Sequence, residues 1–133
     1  MSDVKCARML LDAAKRDVDA LRVMFRSEEI SDEVFGFHVQ QAAEKLLKAW
    51  IALLGEEYPL THSIEGLLDL LAGRGAAVKP FRDLVDYTPY AVEFRYTAVG
   101  PDAEPIDRQR ALALVQALHE RVGRRLAEAQ GTR

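Results

Sequence analysis

Apolar side chains recur at helical intervals through the middle of the chain. Phe35, Val39, Ala42, Leu46, Ala49 and Leu53 follow alternating steps of four and three, and Ala43, Leu47, Trp50 and Leu54 form a second row beside them. No Gly or Pro interrupts the run from Phe37 to Leu54, so the spacing predicts a helix over about 32–54 that stops at Gly55. Gln40, Gln41, Glu44, Lys45 and Lys48 fall together on the other side, with Phe37 one turn before Gln41. The pattern therefore predicts one face that builds a core and an opposite face that carries a compact group of amides and charges.

The flanking segments follow the same rule. Ala7, Leu11, Ala14, Val18, Leu21 and Phe25 mark a heptad-like seam and a first helix over 3–26, with Ser27 or Ser31 available to cap the second. After Pro59, Thr61 or Ser63 can cap a third helix over 62–73, whose inner residues are Ile64, Leu67, Leu68 and Leu71. Pro80 suits the first turn of a fourth helix with Phe81, Leu84, Val85 and Thr88 inward, and Pro89 should kink or stop it. A short helix then resumes over 90–96. The last helix starts near Pro105 and runs to about Ala129, with Ala111, Val115, Leu118, Val122 and Leu126 inward. No segment alternates with period two, so no sheet is expected. The predicted fold is all-α: an up-and-down helical bundle of four main helices plus a short kinked helix, in a single domain spanning 1–133.

Composition narrows the function classes. Hydrophobic residues make up 49% and charged residues 29%, which is ordinary for a soluble globular protein. No apolar run is long enough to span a membrane, and the N-terminus has an early acid and no apolar core of a signal peptide. The lone Cys6 cannot staple the fold, which points to a reducing, cytoplasmic setting, and it reads as a small core residue of the first helix. Net charge is −3, but it is segregated: 27–72 carry nine acids and two bases, while 1–26 net +2 and 105–133 net +3. The basic terminal helices are expected to lie beside the acidic middle, to face an acidic partner, or simply to present solvated surfaces.

The run Phe37-x-x-Gln40-Gln41-Ala42-x-Glu44-Lys45-x-x-Lys48-Ala49, followed by Pro59-Leu60-Thr61-His62 and later by Arg95-Tyr96, resembles the HEPN domain family, the "higher eukaryotes and prokaryotes nucleotide-binding" helical domain. The resemblance covers roughly residues 5–128. It implies a helical bundle that forms a homodimer and binds a nucleotide, or that pairs with a small nucleotidyltransferase encoded beside it, as in toxin–antitoxin pairs. In many HEPN ribonucleases an Arg is followed after a short spacer by a His, and the two act on RNA across a dimer interface. Here Tyr96 to Pro101 contain no His, and the next is His119 in another helix. The resemblance therefore implies a non-catalytic member. The alternatives are a metal-independent RNA-cleaving toxin using Arg95 with an unrecognised proton donor, and a dimerising scaffold without a ligand.

The candidate binding residues are Gln41, Glu44, Lys45, Lys48, His62, Arg95 and Tyr96. Two readings of the helical group stand side by side. Gln41, Glu44, Lys45 and Lys48 form a solvated face with a Glu44–Lys48 pair worth ~0.3–0.5 kcal/mol, or they make a buried dimer contact or line a small-ligand cleft. His62 either faces Glu44 or a ligand from the head of the third helix, or ties the preceding loop down by a hydrogen bond. Arg95 can hold a phosphate or carboxylate with Tyr96 stacked beside it. Three histidines without paired spacing give no metal site, no calcium-loop, phosphate-loop or nucleophile-turn motif is present, and no cofactor is expected.

Overall fold

The computed structural model describes residues 2–131. Its elements run α1 (Val4–Met24), α2 (Asp32–Leu53), α3 (Ile64–Gly73), a 3-10 helix η1 (Lys79–Ala91), a single-turn α4 (Glu93–Tyr96) and α5 (Arg108–Gly131). No strand occurs among the described residues. The all-α bundle of four main helices with a short kinked piece is thus the observed architecture.

The caps fall where side-chain chemistry places them. Asp3 accepts from the Cys6 N–H, Ser31 from Val34 and Ser63 from Gly66, each satisfying a donor that the first helical turn leaves free. α2 and α3 both end on a glycine with positive φ, Gly55 at 79° and Gly75 at 84°. In each case the residue after the glycine reaches back to a carbonyl five positions earlier, Glu56 to Ile51 and Ala76 to Leu71. Ser63 as the cap moves the start of α3 to Ile64, so His62 stands before the helix and not at its head. α5 begins at Arg108 instead of Pro105, because the Asp107 carboxylate accepts from the Arg110 N–H at 3.1 Å and sets the first turn there.

α2 is the centre of the bundle and packs against every other element. Leu46, Leu47, Trp50, Phe35 and Ile51 are among its fully buried side chains, and they join Leu21 of α1, Leu67 and Leu71 of α3, Leu84 of η1 and Leu118 of α5 in one core. All the predicted inner positions of α1, α3 and α5 are buried except Phe25, which is half-buried. Cys6 is half-buried at the edge of the core, with Sγ 3.9 Å from the Tyr58 hydroxyl.

Both terminal helices pack against α2, and an ion pair joins α5 to the start of the acidic middle. The Arg108 guanidinium of α5 pairs with Asp32 at 3.0 Å, donates to the carbonyls of Met24 and Ser27 and lies 5.0 Å over the Phe35 ring. A single side chain thereby fastens the α1–α2 turn to α5.

The segment over 79–91 departs from expectation. It is a 3-10 helix throughout, Pro89 sits inside it, and the break comes at Val92, with φ −132° and ψ −55°. With three residues per turn, side chains three apart eclipse. Phe81, Leu84, Tyr87 and Tyr90 are spaced by three; Phe81, Leu84 and Tyr90 of that row are buried, while Tyr87, like Val85 and Thr88, is half-buried. Pro89 costs such a helix one donor without ending it, and Tyr90 closes over Gly36 of α2, where a Cβ would come within 2.4 Å of its ring.

Candidate functional site

The polar residues of α2 are not a solvated face. Gln40 is 0% exposed, and Glu44 and Lys48 are 9% each, because α2 is covered on both sides. The solvated reading is therefore corrected for Glu44 and Lys48, which the bundle itself buries, while Gln41 and Lys45 are half-buried. A buried charge needs partners within reach, and these residues have them.

Glu44 is the hub. Its carboxylate accepts from Gln40 Nε2 at 2.8 Å, Lys48 Nζ at 2.9 Å and His62 Nδ1 at 2.8 Å. Gln40 Nε2 also reaches the His62 carbonyl at 3.2 Å, and Gln41 donates to Gln40 Oε1 at 2.8 Å. The network ties the loop before α3 to the middle of α2, while Thr88 of η1 accepts from the Ile64 N–H and secures the same corner from the other side. Burial works to raise the Glu44 carboxyl, but the hydrogen bonds from Gln40, His62 and Lys48 outweigh it and hold the group below its ordinary value.

A second network lies between α1 and α2. Asp17, 8% exposed, takes Lys45 Nζ at 2.7 Å and His38 Nδ1 at 3.0 Å. Burial again opposes ionisation, and the bonds from His38 and Lys45 again overcome it, so this carboxyl too sits below the usual range. The sequence pattern does not single out Asp17 as a candidate. Its signal is positional: it follows Ala14 by three and adjoins Val18, which turns a carboxylate toward the seam, where it must find a cation.

Arg95 and Tyr96 form a third group. The Arg95 guanidinium lies 5.2 Å over the Phe37 ring and 5.6 Å over the Tyr96 ring, and none of the ion pairs among the described residues includes it. Tyr96 is 80% exposed. Val34, one turn before Phe37, and Val92, just before α4, add exposed apolar surface around this end of α2.

The seven candidate residues thus divide three ways. Glu44 and Lys48 belong to one buried cluster, which His62, 59% exposed, closes on the solvent side. Lys45 belongs to another, and Arg95 with Tyr96 stands on the surface beside Phe37. Gln41 joins the Glu44 cluster through Gln40. Lys45 and Lys48 are neutralised by carboxylates already, so the cation left open to an incoming anion in this set is Arg95. No group of three or more His, Cys, Asp or Glu side chains that could hold a metal ion occurs among the described residues. No described helix is long and apolar enough to cross a membrane.

A family model, that of the HEPN domain, matches residues 7–126. No curated protein and no solved structure matches the chain.

Proposed function

The chain belongs to the HEPN domain family, and from that premise we propose that it is a non-catalytic, homodimeric member whose Arg95 surface receives a phosphate group, carried by a nucleotide or by the site of a small nucleotidyltransferase partner. The observation that carries this reading is the state of Arg95. A guanidinium laid over two aromatic rings and free of carboxylates is held in place without being neutralised. An anion arriving there gains a charge-assisted hydrogen bond, and a planar base gains the exposed Tyr96 ring. Exposed Val34 and Val92 beside it offer apolar area for a second copy or a partner.

Light scattering at micromolar concentration should give about twice the 14.9 kDa chain mass; a clean monomer would contradict the dimer. Calorimetric titration with a nucleoside triphosphate should show binding that Arg95→Ala weakens by about tenfold or more, the usual worth of a hydrogen bond to a charged group. Equal affinity in both proteins would remove Arg95 from the site.

One observation favours RNA cleavage as a second reading. His62, with Nδ1 on Glu44, keeps Nε2 for proton transfer, as a general acid–base group requires. Yet Glu44 is seven residues from Phe37, which places His62 about 10 Å along α2 from the ring beneath Arg95. One phosphate does not bridge that span, so no Arg95-dependent cleavage is expected when structured or single-stranded RNA is incubated with wild type and Arg95→Ala in parallel.

A further inference from the structure

His119 of α5 stands at the seam with α1, next to the fully buried Leu118 and one turn past Val115. The residue is half-buried, yet its Nε2 is shut off from water without a hydrogen-bond partner. Among the described residues it is the buried side-chain nitrogen or oxygen left in that state. Buried polar atoms are nearly always paired, so an orphan of this kind needs a reason. The ring also borders a cavity of about 310 Å³ between the two helices, walled by Val18 and Asp19 from α1 and by Gln116 and Glu120 from α5. From α1 the ring faces the charges of Asp12, Lys15, Asp19 and Arg22, and from its own helix that of Glu120. α2 and η1, which also pack on α5, supply none of these charges. Lys15 and Arg22 are both paired with Asp19, while Glu120 stands exposed.

We propose that His119 is a proton-operated latch on the α1–α5 seam: the neutral ring packs inward and closes the seam, and the protonated ring leaves it for the cavity, so that α5 loosens from α1. A neutral imidazole carries one N–H, and with that proton on Nδ1 it buries Nε2 as a bare acceptor. The imidazolium carries an N–H at both nitrogens. Its charge then extends onto a nitrogen that has neither water nor an acceptor, which costs far more than burying a neutral atom. Outside the seam the same cation meets the carboxylates of Asp19 and Glu120 on the cavity wall. Protonation thus penalises the inward ring and favours the outward one, as a two-position switch requires. Burial first, then Lys15, hold the His119 ring below its ordinary value of 6.5, against the opposing pull of Asp19, Glu120 and Asp12. A ring released to water titrates near the ordinary value, so it takes up its proton at higher pH than the inward ring. The latch is therefore at full strength above about pH 7.5, weakens as pH falls through 6.5, and is weakest below the value of the inward ring.

Amide hydrogen exchange of the full chain at about pH 7.5 and about pH 5.5, corrected for the intrinsic pH dependence of exchange, reads the opening of the seam. Amides from Val115 to Val122 in α5 and from Leu11 to Val18 in α1 should open about threefold more often at the lower pH. Those of Leu67 and Leu68 in α3, which does not touch α5, should not follow. His119→Leu is apolar and cannot titrate, and His119→Gln keeps a polar group that stays neutral. Each should abolish the response, and either serves if the other folds poorly. In the wild type, the His119 ring resonances, identified by their loss in either variant, should titrate with a midpoint below 6.5. The proposal is overturned if that midpoint lies at 6.5 or above, if the seam amides open equally at the two pH values, if α3 accelerates as much as the seam, or if the response survives in a folded His119 variant.

Discussion

Glu44→Ala is expected to destabilise the protein by about 3 kcal/mol, the scale seen when one member of a buried ion pair is removed. The Glu44 side chain accepts three hydrogen bonds and its Lys48 partner is 9% exposed. Taking the carboxylate away leaves the Lys48 ammonium without its acceptor, while the Gln40 amide keeps only the His62 carbonyl. Lys48→Ala should cost less, because Glu44 keeps Gln40 and His62. It should still exceed the ~0.5 kcal/mol typical of a surface change. Urea unfolding at neutral pH measures both, and a cost below ~1 kcal/mol for Glu44→Ala would mean that Lys48 escapes to solvent when its partner is lost. The same geometry sets the acid limb of stability. Glu44 and Asp17 both titrate below their ordinary values of 4.5 and 3.8 when folded. The unfolded chain therefore takes up these protons at higher pH than the folded one. Their contribution is complete above the ordinary carboxylate range and is lost as pH falls through the folded values. This carboxylate contribution should accordingly hold from neutrality to about pH 5 and drop below about pH 4, with a shallower drop in Glu44→Gln.

Leu46→Ala is expected to cost ~2–5 kcal/mol. Leu46 is 0% exposed and lies midway along the helix that every other element packs against. The lost burial and the cavity left behind add together, because five surrounding elements cannot all move inward at once. The denaturant midpoint should fall while the m-value stays unchanged. Val23→Ala, at a position 81% exposed on α1, is the control and should change stability by no more than ~0.5 kcal/mol. A small cost for Leu46→Ala would show that the bundle closes over the gap.

The core of this protein was legible along the chain. Leu46, Leu67 and Leu118 sit on rows whose spacing of three and four identifies the inward face of an α-helix without any knowledge of neighbours. Gly55, Ser31 and Ser63 mark helix ends through local backbone needs alone. The motif from Phe37 through Ala49 carried the family for the same reason, as it lies within one element. Even the 3-10 segment left a trace, in the spacing of Phe81, Leu84, Tyr87 and Tyr90, but a row of period three resembles half of an α-helical stripe, and only packing against Gly36 selects between them.

The fate of the charges was a tertiary decision. Sequence placed Glu44 and Lys48 on one face of α2. It did not determine whether water or protein covers that face, since this depends on the loop at His62 and on η1 folding across it. Asp17 and Lys45 are 28 residues apart, and nothing local to either announces the other. Helical periodicity is set by a residue's immediate neighbours along the chain. The protonation and availability of a side chain are set by whatever arrives from elsewhere, and that is why Lys45 and Lys48 became internal counter-charges while Arg95 remained open.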